Sequence, residues 1–319
     1  MKLVIQIPCF NEADALPVTL RDLPRSLPGI DLIEVIVVDD GSTDATAEVA
    51  WACGVAEVVR LGQHRGLARA FMAGIEAGLR RGADLIVNTD ADNQYRGDEV
   101  GRLVAPLVAG QADMVVGERQ GASVSEFSAV KLALLRVGSW VVRRASGTQL
   151  PDVASGFRAL TREAAMRLMV FSDFTYTLET VIQAGNRGLA VGHVPVETNP
   201  SMRPSRLFGS VGEYVLRSSG TILRIYAMYQ PLRVFALAGS LIASAGVLLA
   251  FRFLYFYVTN GGAGHFQSLI ISAICCIVGF QVVLIGLVAD LIAGHRRISE
   301  EILYRVRRLE LERPPHDGP

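Results

Sequence analysis

Residues 231–293 are almost continuously apolar, and no other stretch restricts the fold so tightly. In hydrocarbon every backbone N–H and C=O must be paired within its own segment, so such a stretch is helical. About 20 residues cross a bilayer core, and the sequence predicts two crossings, about 234–258 and 269–293, joined as a hairpin by residues 259–268. Arg217, Arg224 and Arg233 precede the first span and His295, Arg296 and Arg297 follow the second, while the loop TNGGAGHFQS has no Lys or Arg. The positive-inside rule then puts both flanks in the cytoplasm. Arg252 and Asp290 lie near span ends, where a charged head can snorkel to the interface.

The composition changes near residue 210. Upstream, KLVIQI (2–7), LIEVIVV (32–38), AEVVRL (56–61), ADLIVNT (83–89), ADMVVG (112–117) and LAVGHVPV (189–196) read as short strands. Helix-sized segments such as GLARAFMAGIEAGLRRG (66–82) separate the first of them, with further helices over 126–146 and near 176–187 and a loop over 152–160. Strands buried on both faces and alternating with helices make an α/β domain with a mostly parallel sheet covered on both sides. Ligands of such sheets bind beyond the carboxyl ends of the strands. Met1 to Phe10 lacks the charged, apolar and small-residue succession of a signal peptide, so the N-terminus is expected to stay cytoplasmic.

Between domain and spans, residues 198–210 read as a mobile loop. Residues 211–230 read as an amphipathic helix, either lying on the membrane surface or packed on its own domain. The tail, 294–319, is expected to be cytoplasmic; its helical stretch 300–313 is a candidate for forming a homo-oligomer or lying on anionic lipid. With 31 basic and 31 acidic residues the net charge is zero, which argues against nucleic acid as a partner. Cys9, Cys53, Cys275 and Cys276 have no zinc or redox spacing and read as buried thiols, and the five histidines show no ligand spacing.

Three consecutive strand ends carry acids: IPCFNE (7–12), VVDDGSTDAT (37–46) and, after LIVNT, DADNQ from Asp90. Carboxylates one residue apart at a strand end point to the same side. Asp90 and Asp92, with the Gln94 amide oxygen, therefore form half a shell for Mg²⁺ or Mn²⁺, hard cations that favour oxygen and leave positions for phosphate. For Asp39 and Asp40 helix capping competes with ligand binding, with Ser42 or Thr43 expected to cap the helix that follows.

IPCFNE, VVDDGSTDAT, HRGLARA and DADNQ, at these separations, resemble the family-2 glycosyltransferases of GT-A fold; SGFRAL (155–160) and the paired spans resemble the polyprenyl-phosphate hexose synthases among them. The resemblance implies a nucleotide-sugar donor, a polyprenyl-phosphate acceptor, and an integral membrane enzyme with its catalytic domain in the cytoplasm. By that resemblance Pro8, Phe10, Glu12, Asp39, Asp40, Arg65 and Ala91 would bind the nucleotide-sugar, and Asp90, Asp92 and Gln94 the metal. Arg119 would act near the donor phosphates; Lys131, Arg158, Arg203 and Arg206 would meet the acceptor phosphate, the last two also serving catalysis. The chain departs from the family where an arginine and a serine four residues on are common: it has Lys131 and Leu135. It departs again in Arg203-Pro204-Ser205-Arg206, where Arg-x-x-Gly-x-Ser-Lys is frequent.

A phosphate acceptor is already anionic near neutral pH and needs no strong base. A saccharide hydroxyl would need one, for which Asp152 and Glu179 are candidates. A non-catalytic nucleotide-sugar sensor on the membrane is the rival outside enzymes.

Overall fold

The computed structural model describes residues 1–120, 147–148, 150–170, 176–200, 227, 229–260 and 266–312. Lys131, Arg203, Arg206, the helix expected over 126–146 and nearly all of the helix expected over 211–230 lie outside the described residues. The chain divides into two compact units, Met1–Gly220 with Ile302–Pro319, and Thr221–Glu301.

In the first unit the described strands are β1 (Lys2–Cys9), β2 (Leu32–Asp39), β3 (Glu57–Arg60), β4 (Leu85–Asn88), β5 (Met114–Gln120), β6 (Arg158–Thr161) and β7 (Val191–Glu197). They form one sheet in the order β3-β2-β1-β4-β6-β5-β7. The described helices are α1 (Leu16–Asp22), α2 (Thr46–Ala52), α3 (Leu67–Arg80), α4 (Val100–Val108), α5 (Arg162–Arg167) and α6 (Thr177–Asn186). The interior strands carry the core: Leu3, Ile5 and Ile7 of β1 are wholly buried, as are Val37 of β2, Val87 of β4 and Val115 of β5. Each such side chain contributes about 1.5–3 kcal/mol by leaving water.

β1, β2, β3 and β4 run parallel, and β5 runs parallel to β7. The expectation of a loop over 152–160 is corrected at its end. Arg158–Thr161 form β6, antiparallel to both β4 and β5. Four residues are too few to show a period; what makes them a strand is a ladder on each side, a tertiary circumstance. Register then does the functional work. Cys9 pairs with Asp39 and Gln6 with Asn88, so the residues following β1, β2 and β4 emerge at one edge of the sheet.

The second unit holds α7 (Pro231–Asn260) and most of α8 (Phe266–Glu312), both long and apolar enough to cross a membrane. They pack as a hairpin through small residues: a Cβ on Gly279 would lie 2.7 Å from both the Ala243 nitrogen and the Gly239 oxygen. Backbones so close exclude a larger side chain, the usual device of helix association in lipid. Gly279→Leu should therefore push the helices apart and destabilise the detergent-solubilised protein by about 1–3 kcal/mol. Thermal unfolding in detergent reads this; a variant melting with the wild type would refute the close contact.

The end of α8 belongs to the first unit. The Tyr304 hydroxyl donates to Glu163 Oε1 at 2.8 Å, and Arg307 donates to the Leu168 carbonyl at 2.9 Å and to Glu76 at 3.2 Å. This face of the tail is thus occupied by α3 and α5 of its own chain.

Candidate active site

The loops after β1 and β2 are stitched together. Asn11, at φ 54°, donates its N–H to Ser42 Oγ at 2.9 Å, and its side-chain oxygen accepts from the Thr43 N–H at 2.8 Å. The Glu12 N–H donates to Thr46 Oγ1 at 2.9 Å. Neither Ser42 nor Thr43 caps the helix as expected: α2 begins later, at Thr46, with no side-chain cap. The Asp44 carboxylate accepts from the Thr46 N–H at 3.0 Å and from the Ala13 N–H at 3.2 Å, drawing the two loops into one ledge.

Asp39 and Asp40 are almost wholly buried in that ledge. Asp39 Oδ1 accepts from the Ser42 N–H, and Asp40 accepts from the Arg65 and Gly66 N–H groups, each at 2.8 Å. Arg65 thus meets Asp40 through its backbone. His64, which its spacing gave no reason to single out, lies with Nδ1 2.9 Å from Asp40. Its ring stacks on Phe10 with centroids 4.0 Å apart. The long-range step from strand β1 to the loop after β3 makes this pair, and no local pattern announces it. Cys53 is exposed rather than buried, while burial pushes the thiol of Cys9 well up from its ordinary value.

The loop after β4 carries the carboxylate pair. The Ala91 carbonyl accepts from Thr19 Oγ1 at 2.8 Å, and Asp92 Oδ1 accepts from the Gln94 N–H at 3.1 Å, a side-chain turn that orders the next residues. The Gln94 carbonyl accepts from the Asn199 N–H at 2.9 Å. Asp90 is partly buried, with its two carboxylate oxygens 3.1 and 3.2 Å from where a Cβ on Gly156 would stand. Its pKa is pushed up to about 7, first by loss of solvent and then by the Asp92 carboxylate, against the pull of Arg119 and Arg158.

Two adjacent acids in a poorly hydrated corner repel each other, and a divalent cation relieves that repulsion directly. The donor set is all oxygen, which suits Mg²⁺ or Mn²⁺. Among the described residues no three His, Cys, Asp or Glu side chains gather into a metal cluster. The fit is therefore that of a partial site, whose remaining positions a diphosphate would fill.

Arg119, at the end of β5, grips Asp152 in two-pronged fashion, Nε to Oδ2 at 2.8 Å and Nη2 to Oδ1 at 3.1 Å. Burial works against its charge, yet Tyr95 and Asp152 beside it raise its pKa. Arg158 is wholly buried. Its guanidinium donates to the Ser155 and Thr177 carbonyls and to Thr180 Oγ1, so in this geometry it braces the loop behind Asp90 rather than facing a phosphate. Glu179 is also wholly buried, which removes it from reach of a substrate hydroxyl.

A model of glycosyl transferase family 2 matches residues 4–169, more than half of the 319, and one of the GtrB C-terminal hairpin matches residues 230–294. The polyprenol monophosphomannose synthase of Mycolicibacterium smegmatis is 30% identical over 219 residues, covering 65% of this chain and 81% of that protein. The undecaprenyl-phosphate 4-deoxy-4-formamido-L-arabinose transferase of Serratia proteamaculans is 26% identical over 333 residues, covering 99% of this chain and 96% of that protein. Among solved structures, the glucosyl-3-phosphoglycerate synthase of Mycobacterium tuberculosis, bound to Mn²⁺, UDP and glucosyl-3-phosphoglycerate, superposes with a TM-score of 0.54 at 25% identity. That match covers 69% of this chain and 79% of the other. With acids at three parallel strand ends, a GT-A sheet and the matched hairpin, the chain belongs to glycosyl transferase family 2 and is a glycosyltransferase.

Proposed function

We propose that this glycosyltransferase moves a hexose from a nucleotide-sugar such as GDP-mannose or UDP-glucose to a polyprenyl phosphate, inverting the anomeric carbon, at the cytoplasmic face of a membrane. The observation that carries the reading is the Asp90–Asp92 pair at the open edge of the sheet, in a chain that also holds an apolar hairpin. The two relatives, a polyprenol monophosphomannose synthase and an undecaprenyl-phosphate 4-deoxy-4-formamido-L-arabinose transferase, support this acceptor class.

Asp90, Asp92 and Gln94 would hold Mg²⁺ or Mn²⁺, which when bound supplies positive charge against the donor diphosphate. Phe10, with His64 against it, and the buried Asp39 and Asp40 shape the ledge that receives the nucleotide. Arg119, mostly buried and held by Asp152, puts a fixed positive charge within electrostatic reach of Asp90. Directed at the phosphates, it favours the charge that builds as the glycosidic bond lengthens. Asp152 holds that guanidinium in one orientation. The acceptor phosphate attacks from the face opposite the leaving group, and positioning supplies much of the acceleration. The hairpin keeps the enzyme where a polyprenyl phosphate presents its head, raising the effective concentration of each for the other.

Because Asp90 keeps its proton to about pH 7, cation binding must displace that proton. Affinity for Mn²⁺ should thus rise by about tenfold per unit from pH 5.5 to 6.5 and level off above pH 7.5. Mn²⁺ titration across that range checks the sign, and flat affinity would contradict the displaced proton. The function itself is tested with radiolabelled nucleotide-sugars offered with polyprenyl phosphate or with free oligosaccharide. Label entering the lipid fraction is expected; label entering only the oligosaccharide would overturn the acceptor.

A further inference from the structure

Beneath the carboxylate pair lies a run of buried amides and hydroxyls that the transfer reaction does not itself require. The Gln6 amide donates to Asn88 Oδ1 at 2.9 Å, and Asn88 Nδ2 donates to both the Gly156 carbonyl and the Tyr176 hydroxyl oxygen, each at 2.9 Å. The Tyr176 hydroxyl donates to the same Gly156 carbonyl at 3.3 Å, and the Gly156 N–H donates to the Tyr95 hydroxyl at 3.1 Å. Gln6, Asn88, Tyr95 and Tyr176 are all buried. The Tyr176 ring lies flat on Phe71, with centroids 3.9 Å apart and planes 7° from parallel, so its hydroxyl has little freedom.

All of this converges on the backbone of one residue, Gly156, whose N–H and carbonyl are both held. A Cβ on Gly156 would stand 3.1 and 3.2 Å from the Asp90 carboxylate oxygens and 2.9 Å from the Tyr176 hydroxyl. The bare backbone of Gly156 is thus the wall against which Asp90 rests, and the tyrosine and asparagine fix that wall from behind. An apolar side chain would fill the space beneath the sheet edge without burying several polar groups. Burying so many polar groups there is costly unless the network specifies a geometry.

We propose that Tyr176 and Asn88 are positioning residues that set the Asp90 carboxylate for the cation, acting through the Gly156 peptide. The inference rests on the reading that Asp90 and Asp92 hold the donor's metal. Partners behind a metal ligand typically alter metal affinity by 10–100-fold when removed.

The test is Tyr176→Phe in the full-length protein in detergent, which deletes the hydroxyl and keeps the stack on Phe71. Mn²⁺ binding is followed by the electron paramagnetic resonance of free Mn²⁺, with UDP and then GDP saturating. The dissociation constant for Mn²⁺ is expected to rise about tenfold, while turnover at saturating Mn²⁺ stays within about twofold of wild type. Unchanged Mn²⁺ affinity, even with a lower melting temperature, would show a merely structural hydroxyl and overturn the inference. Gly156→Ala, whose methyl presses on the Asp90 oxygens, must weaken Mn²⁺ in the same way. It decides the matter if Y176F does not fold, and wild-type affinity in it overturns the proposal. No Mn²⁺ uptake by the wild-type protein with either nucleotide would overturn the donor-site reading and this inference with it; uptake by wild type and both variants alike would overturn this inference alone.

Discussion

Asp92→Asn is expected to lower turnover on the order of 10²–10³-fold, the usual scale for removing a group that stabilises developing charge. The substitution keeps the shape and the Oδ1 acceptor that receives the Gln94 N–H, so the turn after β4 survives. What it removes is one of the two carboxylate charges proposed to hold the cation. Turnover should fall while the melting temperature stays near that of the wild type. Transfer of labelled sugar within tenfold of the wild-type rate, in a variant that melts normally, would contradict a metal-holding role for this carboxylate.

Arg119→Met should cost both stability and turnover, for separable reasons. The Arg119 and Asp152 side chains are only 14% and 17% exposed, so removing the cation strands a carboxylate in poorly hydrated surroundings, at about 3–5 kcal/mol. The double variant, Arg119→Met with Asp152→Asn, leaves no uncompensated charge and should regain most of that stability. Turnover should stay low in both, because the charge proposed to act on the leaving phosphate is gone. Unfolding and transfer assays on the single and double variants separate the effects. A double variant that recovers turnover would show that Arg119 matters only as a partner for Asp152.

The parts of this molecule visible in its sequence are those governed by local rules. Apolar runs placed β1, β2, β4 and β5 because strands covered on both faces need little else, and the length of the 231–293 stretch announced a helical hairpin. The acids after β1, β2 and β4 stood out because parallel strands deliver their ends to one edge. What escaped was made by contacts between distant segments. β6 is a strand only because β4 and β5 flank it. His64 reaches Phe10 across more than 50 residues, and Asn88 meets Tyr176 across 88. Arg158 looked like a phosphate ligand by its motif, yet its surroundings supply carbonyl partners that its sequence neighbours do not reveal.

Crystals of the protein grown with Mn²⁺ and a nucleoside diphosphate, with data collected at the manganese absorption edge, test the central claim most directly. One anomalous peak in contact with the carboxylates of both Asp90 and Asp92 and with the diphosphate oxygens is the expected result. Ordered nucleotide with no manganese between those two side chains would contradict it.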